Sequence, residues 1–246
     1  MKRQAKLKQH RIVDKNAQTA ALTSTKEGYA LKSVRLKFSK IGRLKFISHL
    51  DLNRLLIRAV RMAGIPIWYT EGFHPHPYLN IALPLSLGYT SDCELMDIKL
   101  LDDDFDITKI PSLLNPVCPS DLKFTDVYEP AQKTANIGFA DYKITFFDSG
   151  EIQNTLSDFL KLTEIICSKK TKKGDIKEFN IVPDIKKAVV EKDENTVLYL
   201  TLPAGSEKNL NPELLLNAFY TKNADAYYCY TVHRTAILDK SGNIFK

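Results

Sequence analysis

Ser33-Val-Arg-Leu-Lys-Phe-Ser39 and Leu44-Lys-Phe-Ile-Ser-His-Leu-Asp-Leu-Asn-Arg-Leu-Leu-Ile-Arg-Ala-Val-Arg-Met-Ala-Gly64 follow one another, and the hydrophobic period changes between them. In the first, Val34, Leu36 and Phe38 alternate with Arg35, Lys37 and Ser39, the period-two pattern of a strand with one apolar face. In the second, Leu52, Leu55, Leu56, Ala59, Val60 and Ala63 fall at i, i+3, i+4, i+7, i+8 and i+11, one continuous helical stripe. Ser48 with Asp51 three residues on has the form of a capping box, and Gly64 followed by Pro66 marks the stop. The chain therefore opens as strand, then helix.

Outward from that unit, short strands are predicted at Ile65–Tyr69, Leu79–Leu85 and Glu94–Leu101. A short helix near Ile107–Leu114 and a closing strand Leu122–Tyr128 complete the order. The second half reads similarly. Strands are predicted at Tyr142–Phe147, Ile165–Ser168, Val197–Leu202 and Tyr227–Leu238, and helices at Ile152–Leu162 and Pro212–Phe219, the latter with proline in its first turn. The basic segment Lys169–Lys187 separates two of these strands. The fold class expected is α+β, with two ferredoxin-like (β-α-β-β-α-β) halves and antiparallel sheets, over residues 33–130 and 140–246.

Composition sets outer limits. The chain has 246 residues, 44% hydrophobic and 26% charged, as in a globular protein with a real core. The net charge of +6 is concentrated at the start: residues 1–32 hold eight Lys or Arg against Asp14 and Glu27, while the remainder is neutral. This leader is expected to be disordered, either as a solvated tail or as an arm for an acidic partner such as RNA. Cys93, Cys118, Cys167 and Cys229 lie far apart with no CxxC pair, so reduced thiols are expected rather than disulfides or a zinc ribbon. No apolar run reaches the length of a membrane span or secretory signal, and the expected location is cytoplasmic with no membrane partner. Neither GxGxxG nor GxxxxGK[ST] occurs, so a mononucleotide fold is not indicated.

Three constellations could carry chemistry. Lys40, Arg43 and Lys45 on a loop precede Arg54, Arg58 and Arg61, which share the helix face opposite the apolar stripe. Arginine forks bind phosphate in bidentate fashion, so this row could track a nucleic-acid backbone, or it could be a solvated face underneutralised by Asp51. His49 and Asp51 at the helix start, with His74 and His76 on the loop Glu71-Gly-Phe-His-Pro-His-Pro77, could ligate a metal, serve as acid and base, touch a ligand, or support the fold. Trp68, Tyr69, Phe73 and Tyr78 flank that loop as base-stacking or core aromatics. The third is the run Lys169, Lys170, Lys172, Lys173 before Gly174, a basic hairpin that either contacts a ligand or is merely solvated.

Arg35-Leu-Lys-Phe-Ser-Lys-Ile-Gly42, Leu44-Lys-Phe-Ile-Ser-His-Leu-Asp51, Gly72-Phe-His-Pro-His-Pro77, Ala82-Leu-Pro-Leu85 and Glu94-Leu-Met-Asp97 together resemble a bacterial radical SAM-associated domain of unknown function. Thr171-Lys-Lys-Gly174 and His233-Arg-Thr-Ala236 are similar to its later motifs, so the resemblance spans about residues 33–240. That domain stands alone or is fused to the C-terminus of a cobalamin-type radical SAM protein. His74 departs from the pattern, which shifts emphasis to His49, Asp51 and His76. The resemblance implies an accessory protein, more a binder than an enzyme, working beside a radical SAM enzyme. The partner would carry the iron–sulfur cluster and S-adenosylmethionine, and no cofactor of this chain's own is expected. With the arginine row, it suggests presentation of a tRNA, an rRNA or another substrate. The alternatives are a stand-alone RNA-processing enzyme using His49 or His76 as acid or base, and a structural interaction module.

Overall fold

The computed structural model describes residues 31–147, 152–170, 174–192, 194–223 and 229–246. Residues 1–30 of the basic leader therefore lie outside the described residues, as do Lys172, Lys173 and the side chain of Lys170. The described elements run β1 (Lys32–Lys40), α1 (His49–Met62), β2 (Leu79–Ile81), β3 (Thr90–Leu100), α2 (Ile110–Leu114), β4 (Leu122–Tyr128), β5 (Ile137–Phe146), α3 (Gln153–Leu160), β6 (Ile166–Lys170), β7 (Ile176–Asn180), β8 (Lys187–Lys192), β9 (Thr196–Pro203), α4 (Glu213–Lys222) and β10 (Tyr230–Asp239). No described helix is long and apolar enough to cross a membrane.

The protein is a mixed α+β structure built on a large, mostly antiparallel sheet. Seven strands run in the order β4-β1-β3-β10-β5-β9-β8, and β2 pairs with β3. The sheets expected to be separate are one. Their seam is the short parallel pairing of β3 with β10, where Thr90 lies opposite His233 and Ser91 opposite Arg234. β6 and β7 form a two-stranded hairpin apart from the main sheet.

Two apolar clusters hold the layers together. In the first, Val34, Leu36 and Phe38 of β1 pack with Met96, Ile98 and Leu100 of β3 and with Leu52, Leu56, Ala59 and Val60 of α1. The helix buries Leu52, Leu56, Ala59 and Val60 of the stripe read from its sequence, half-buries Leu55 and Ala63, and leaves Arg54, Arg58 and Arg61 exposed. The second cluster is drawn from β5, β9, β10, α3 and α4, and it recruits Leu83, Tyr89, Cys93 and Leu95 from the chain's first half. Apolar packing therefore crosses the seam as the hydrogen bonds do.

Three segments differ from expectation. Ile65–Tyr69 forms isolated bridges rather than a strand, through Ile67 to Leu100 and Tyr69 to Pro77. The strand expected at Leu79–Leu85 stops at Ile81: the Ala82 N–H still donates to the Leu95 carbonyl, but the Leu83 carbonyl turns to Arg234 and Pro84 has no N–H to continue the pairing. The basic segment Lys169–Lys187 contains β7 and leads directly into β8.

Candidate functional site

At the start of α1, Ser48 Oγ accepts a hydrogen bond from the Asp51 backbone N–H at 3.1 Å and donates to Asp51 Oδ2 at 2.7 Å. The cap expected from sequence is present, and its hydroxyl, followed by Arg54, holds the Asp51 carboxyl below its ordinary range. Arg54 pairs with Asp51 at 3.1 Å. Arg43 and Arg58 are exposed, with no side-chain ion pair among the described residues. The Arg43 backbone N–H donates to Asp121 Oδ2 at 2.8 Å, anchoring the turn Gly42–Phe46. Gly42 has φ +54°, and a Cβ there would meet the Asp121 carboxylate at about 2.5 Å, so this turn requires glycine.

The same end of α1 carries exposed apolar side chains. Phe46 is 67% exposed with the Lys45 ammonium 5.0 Å from its ring, and Leu50 is similarly open. The Gly88 N–H donates to the Lys45 carbonyl at 2.7 Å, which brings exposed Leu87 to this turn. The result is a cationic and apolar face made of Arg43, Lys45, Phe46, Leu50, Arg54 and Leu87.

The four candidate acid–base or metal residues are not gathered. About 18 Å of helix separates His49 from Arg61, and Arg61 is the residue that reaches the far loop, donating to the Tyr69 hydroxyl at 3.2 Å. Among the described residues no group of three or more His, Cys, Asp or Glu side chains lies close enough to share a metal ion. His76 instead closes its own loop. Its backbone N–H donates to Thr70 Oγ1 at 3.2 Å, its Nδ1 lies 3.0 Å from that hydroxyl, and its carbonyl accepts from the Thr70 N–H at 2.8 Å. His74 contributes its carbonyl 3.2 Å from the same Nδ1, with its ring exposed. Phe73 at the loop tip is fully exposed, whereas Trp68 and Tyr78 pair at 5.9 Å with Lys99 over both rings. His76→Ala should therefore cost about 1 kcal/mol, a fall in melting temperature of about 2–4 °C for a chain of this size. An unchanged melting temperature would sink the fastener role.

Lys40 needs correcting. It is the last residue of β1, not a loop cation, and is 2% exposed. Desolvation lowers its pKa, opposed by the neighbouring Glu94 carboxylate and reinforced by Arg234. These belong to a buried charged group that sequence reading missed. Arg234 donates from Nε to Glu94 Oε1 at 3.2 Å and from Nη2 both to that oxygen and to the Leu83 carbonyl, the latter at 2.6 Å. Both charged side chains are excluded from water, and Glu94 Oε2 has no hydrogen-bond partner among the described residues. Three residues further along β3, Arg35 grips Asp97 with two hydrogen bonds of 2.6 and 2.8 Å beneath the Phe245 ring. The resemblance motifs thus supply two charged pairs along β3, Arg234–Glu94 with the Leu83 carbonyl and Arg35–Asp97. At the seam's surface, His233 sits between Asp92 Oδ2 at 2.9 Å and Thr90 Oγ1 at 2.8 Å.

All four cysteines are free. Burial pushes the thiols of Cys93, Cys118 and Cys167 up to about 11, which keeps them protonated and weakly nucleophilic at neutral pH. Lys169 is exposed on β6.

Among solved structures, the chain is similar to a Cbf5-Nop10-Gar1 complex at 8% identity and a TM-score of 0.45, with 83% of this chain and 48% of that chain covered. This chain thus spans about half the length of that one. It is also similar to an unknown protein from Galdieria sulphuraria at 8% identity and a TM-score of 0.22, covering 83% of this chain and 99% of that one. No curated protein matches the chain. Residues 33–212, from the first residues of β1 to the start of α4, match the model of one family, and the chain belongs to it: the uncharacterized proteins conserved in bacteria (DUF2344).

Proposed function

We propose that this chain is a cytoplasmic accessory protein of a radical SAM enzyme and holds an RNA, a tRNA or rRNA, or another anionic substrate for it. The observation that carries the reading is the cationic face at the start of α1, where exposed Arg43 and Arg54 and half-buried Lys45 stand with Phe46 and Leu50 and with Asp51 as the nearby carboxylate, and exposed Arg58 continues the row one turn beyond Arg54. Exposed guanidinium groups without a protein partner suit phosphate oxygens, and neighbouring aromatic edges suit unstacked bases. The strand orders β4-β1-β3-β2 and β10-β5-β9-β8 support reading the sheet as two ferredoxin-like halves joined at the seam. Pairing with a radical SAM enzyme rests on the resemblance of the motifs between Arg35 and Asp97. The partner would supply the iron–sulfur cluster and S-adenosylmethionine.

The acid–base alternative has less support, because His49 and His76 stand at opposite ends of α1 and His76 is engaged in its own loop. The proposal is tested by titrating the full chain against single-stranded and folded RNA at several salt concentrations. Binding that weakens steeply with salt is expected. No binding at 50 mM salt would discard the RNA part and leave another substrate.

A further inference from the structure

Between the seam and the start of α4 lies a cleft of about 230 Å³, lined by Leu83–Ser86, Tyr89, Tyr142, Lys169, Asn209–Pro212, Leu214 and Arg234. Its lining contains two cations, Lys169 and Arg234, and no Asp or Glu. We propose that this cleft is a binding site for a small anion, a molecule or group bearing one phosphate or carboxylate. The site is distinct from the cationic face of α1 and does not rest on the RNA reading.

The charge balance behind the cleft carries the first part of the case. Arg234 forms the cleft floor and Lys40 is buried behind it, and both act on the single buried carboxylate of Glu94. Burial disfavours the charge on Lys40, and an anion bound in this region of low dielectric would favour the protonated ammonium, so that two cations would then face one carboxylate. The free donors carry the second part. Asn211 is fixed by three bonds: its Oδ1 accepts from the Tyr89 hydroxyl at 2.6 Å and from the Glu213 N–H at 3.0 Å, and its Nδ2 donates to Ser86 Oγ at 3.2 Å. Ser86 therefore accepts there, and its own proton has no acceptor among the described residues. The Lys169 ammonium makes one long bond, 3.5 Å to the Asn209 carbonyl, and its remaining protons point to no other described partner. Tyr142 is pushed by burial towards the protonated state, whereas the Tyr89 proton is already committed to Asn211 Oδ1, with Glu213 Oε2 3.3 Å from the same hydroxyl. A pocket lined by two cations and no carboxylate, with the nearby Glu213 held by the Tyr89 and Tyr230 hydroxyls, favours an anion over a cation. Its volume, below the usual range for drug-sized ligands, limits the occupant to a small molecule or one terminal group.

A larger hollow of about 560 Å³ lies between the end of α3, the β6–β7 hairpin and α4, but Glu164, Glu178 and Lys222 line it with both signs, so it selects no charge.

The test is calorimetric titration of the full-length protein with inorganic phosphate and, separately, with succinate. One equivalent of at least one probe should bind, and the arm that binds names the anion. Lys169→Ala should weaken that binding about tenfold or more, and Ser86→Asp, which adds a carboxylate to the cleft, should abolish it. Both substitutions lie at the rim, and unchanged circular dichroism will show that each variant folds. Failure of both probes to bind, or binding unaltered by both variants, overturns the proposal. Because small anions and rim variants are used, a negative result here is separable from loss of RNA binding.

Discussion

Glu94→Ala is expected to lower stability by about 3–5 kcal/mol, the cost of leaving a buried guanidinium without its counter-charge. For a chain of this length that corresponds to a fall in melting temperature of roughly 6–20 °C. The pair has no access to water, so water cannot replace the carboxylate, and Arg234 sits in the seam that joins β3 to β10. Lys40→Met tests the sign of the same arrangement. Lys40 is desolvated and shares its carboxylate with Arg234, and its lowered pKa means that burial already disfavours its charge. An apolar side chain of similar length should therefore be neutral or stabilising at pH 7. Thermal unfolding of both variants by calorimetry decides the matter. Equal large losses would mean that Lys40, not Arg234, is the main counter-ion of Glu94.

Replacing Arg43, Arg54 and Arg58 together with alanine is expected to reduce RNA affinity about 10²–10³-fold near 0.1 M salt. Each lost phosphate contact removes roughly 0.7–0.9 from the log–log salt slope, so the slope should flatten by about two to three units. The comparison is made between full-length proteins. The basic residues 1–32 contribute equally to both curves, and the difference isolates the α1 face. Stability should change little, since these side chains are exposed and the Arg54–Asp51 pair is a surface one. Parallel salt curves for the two proteins would assign RNA binding, if any, to the leader alone.

The change of period between Ser39 and Leu44 located β1 and α1 because one apolar face of each is buried, and Leu52, Leu56 and Val60 lie inside as their spacing required. β4 matched its predicted range because alternation and flanking prolines bracket it. Lys40 was misread for a simple reason. Following the alternation of Val34, Leu36 and Phe38 by one more step puts residue 40 on the inner face, and only its charge argued against this. Arg234 and Glu94 were invisible as a pair because 140 positions separate them and a parallel seam brings them together. The hairpin partner β7 was missed because its residues alternate weakly and are largely exposed. His76 was legible as a preorganised loop residue. Its distance from His49 was not, since the sequence does not say which end of α1 the loop returns to.

The proposed role is to work beside a radical SAM enzyme and hold its substrate. Affinity isolation of the full-length protein from its native cell, read by mass spectrometry for protein and by sequencing for RNA, tests it most directly. The predicted result is co-isolation of a protein with the closely spaced cysteines of a radical SAM cluster, together with an RNA depleted when the Arg43/Arg54/Arg58 variant is used. Isolation of neither, with the tagged protein abundant and folded, would contradict that role.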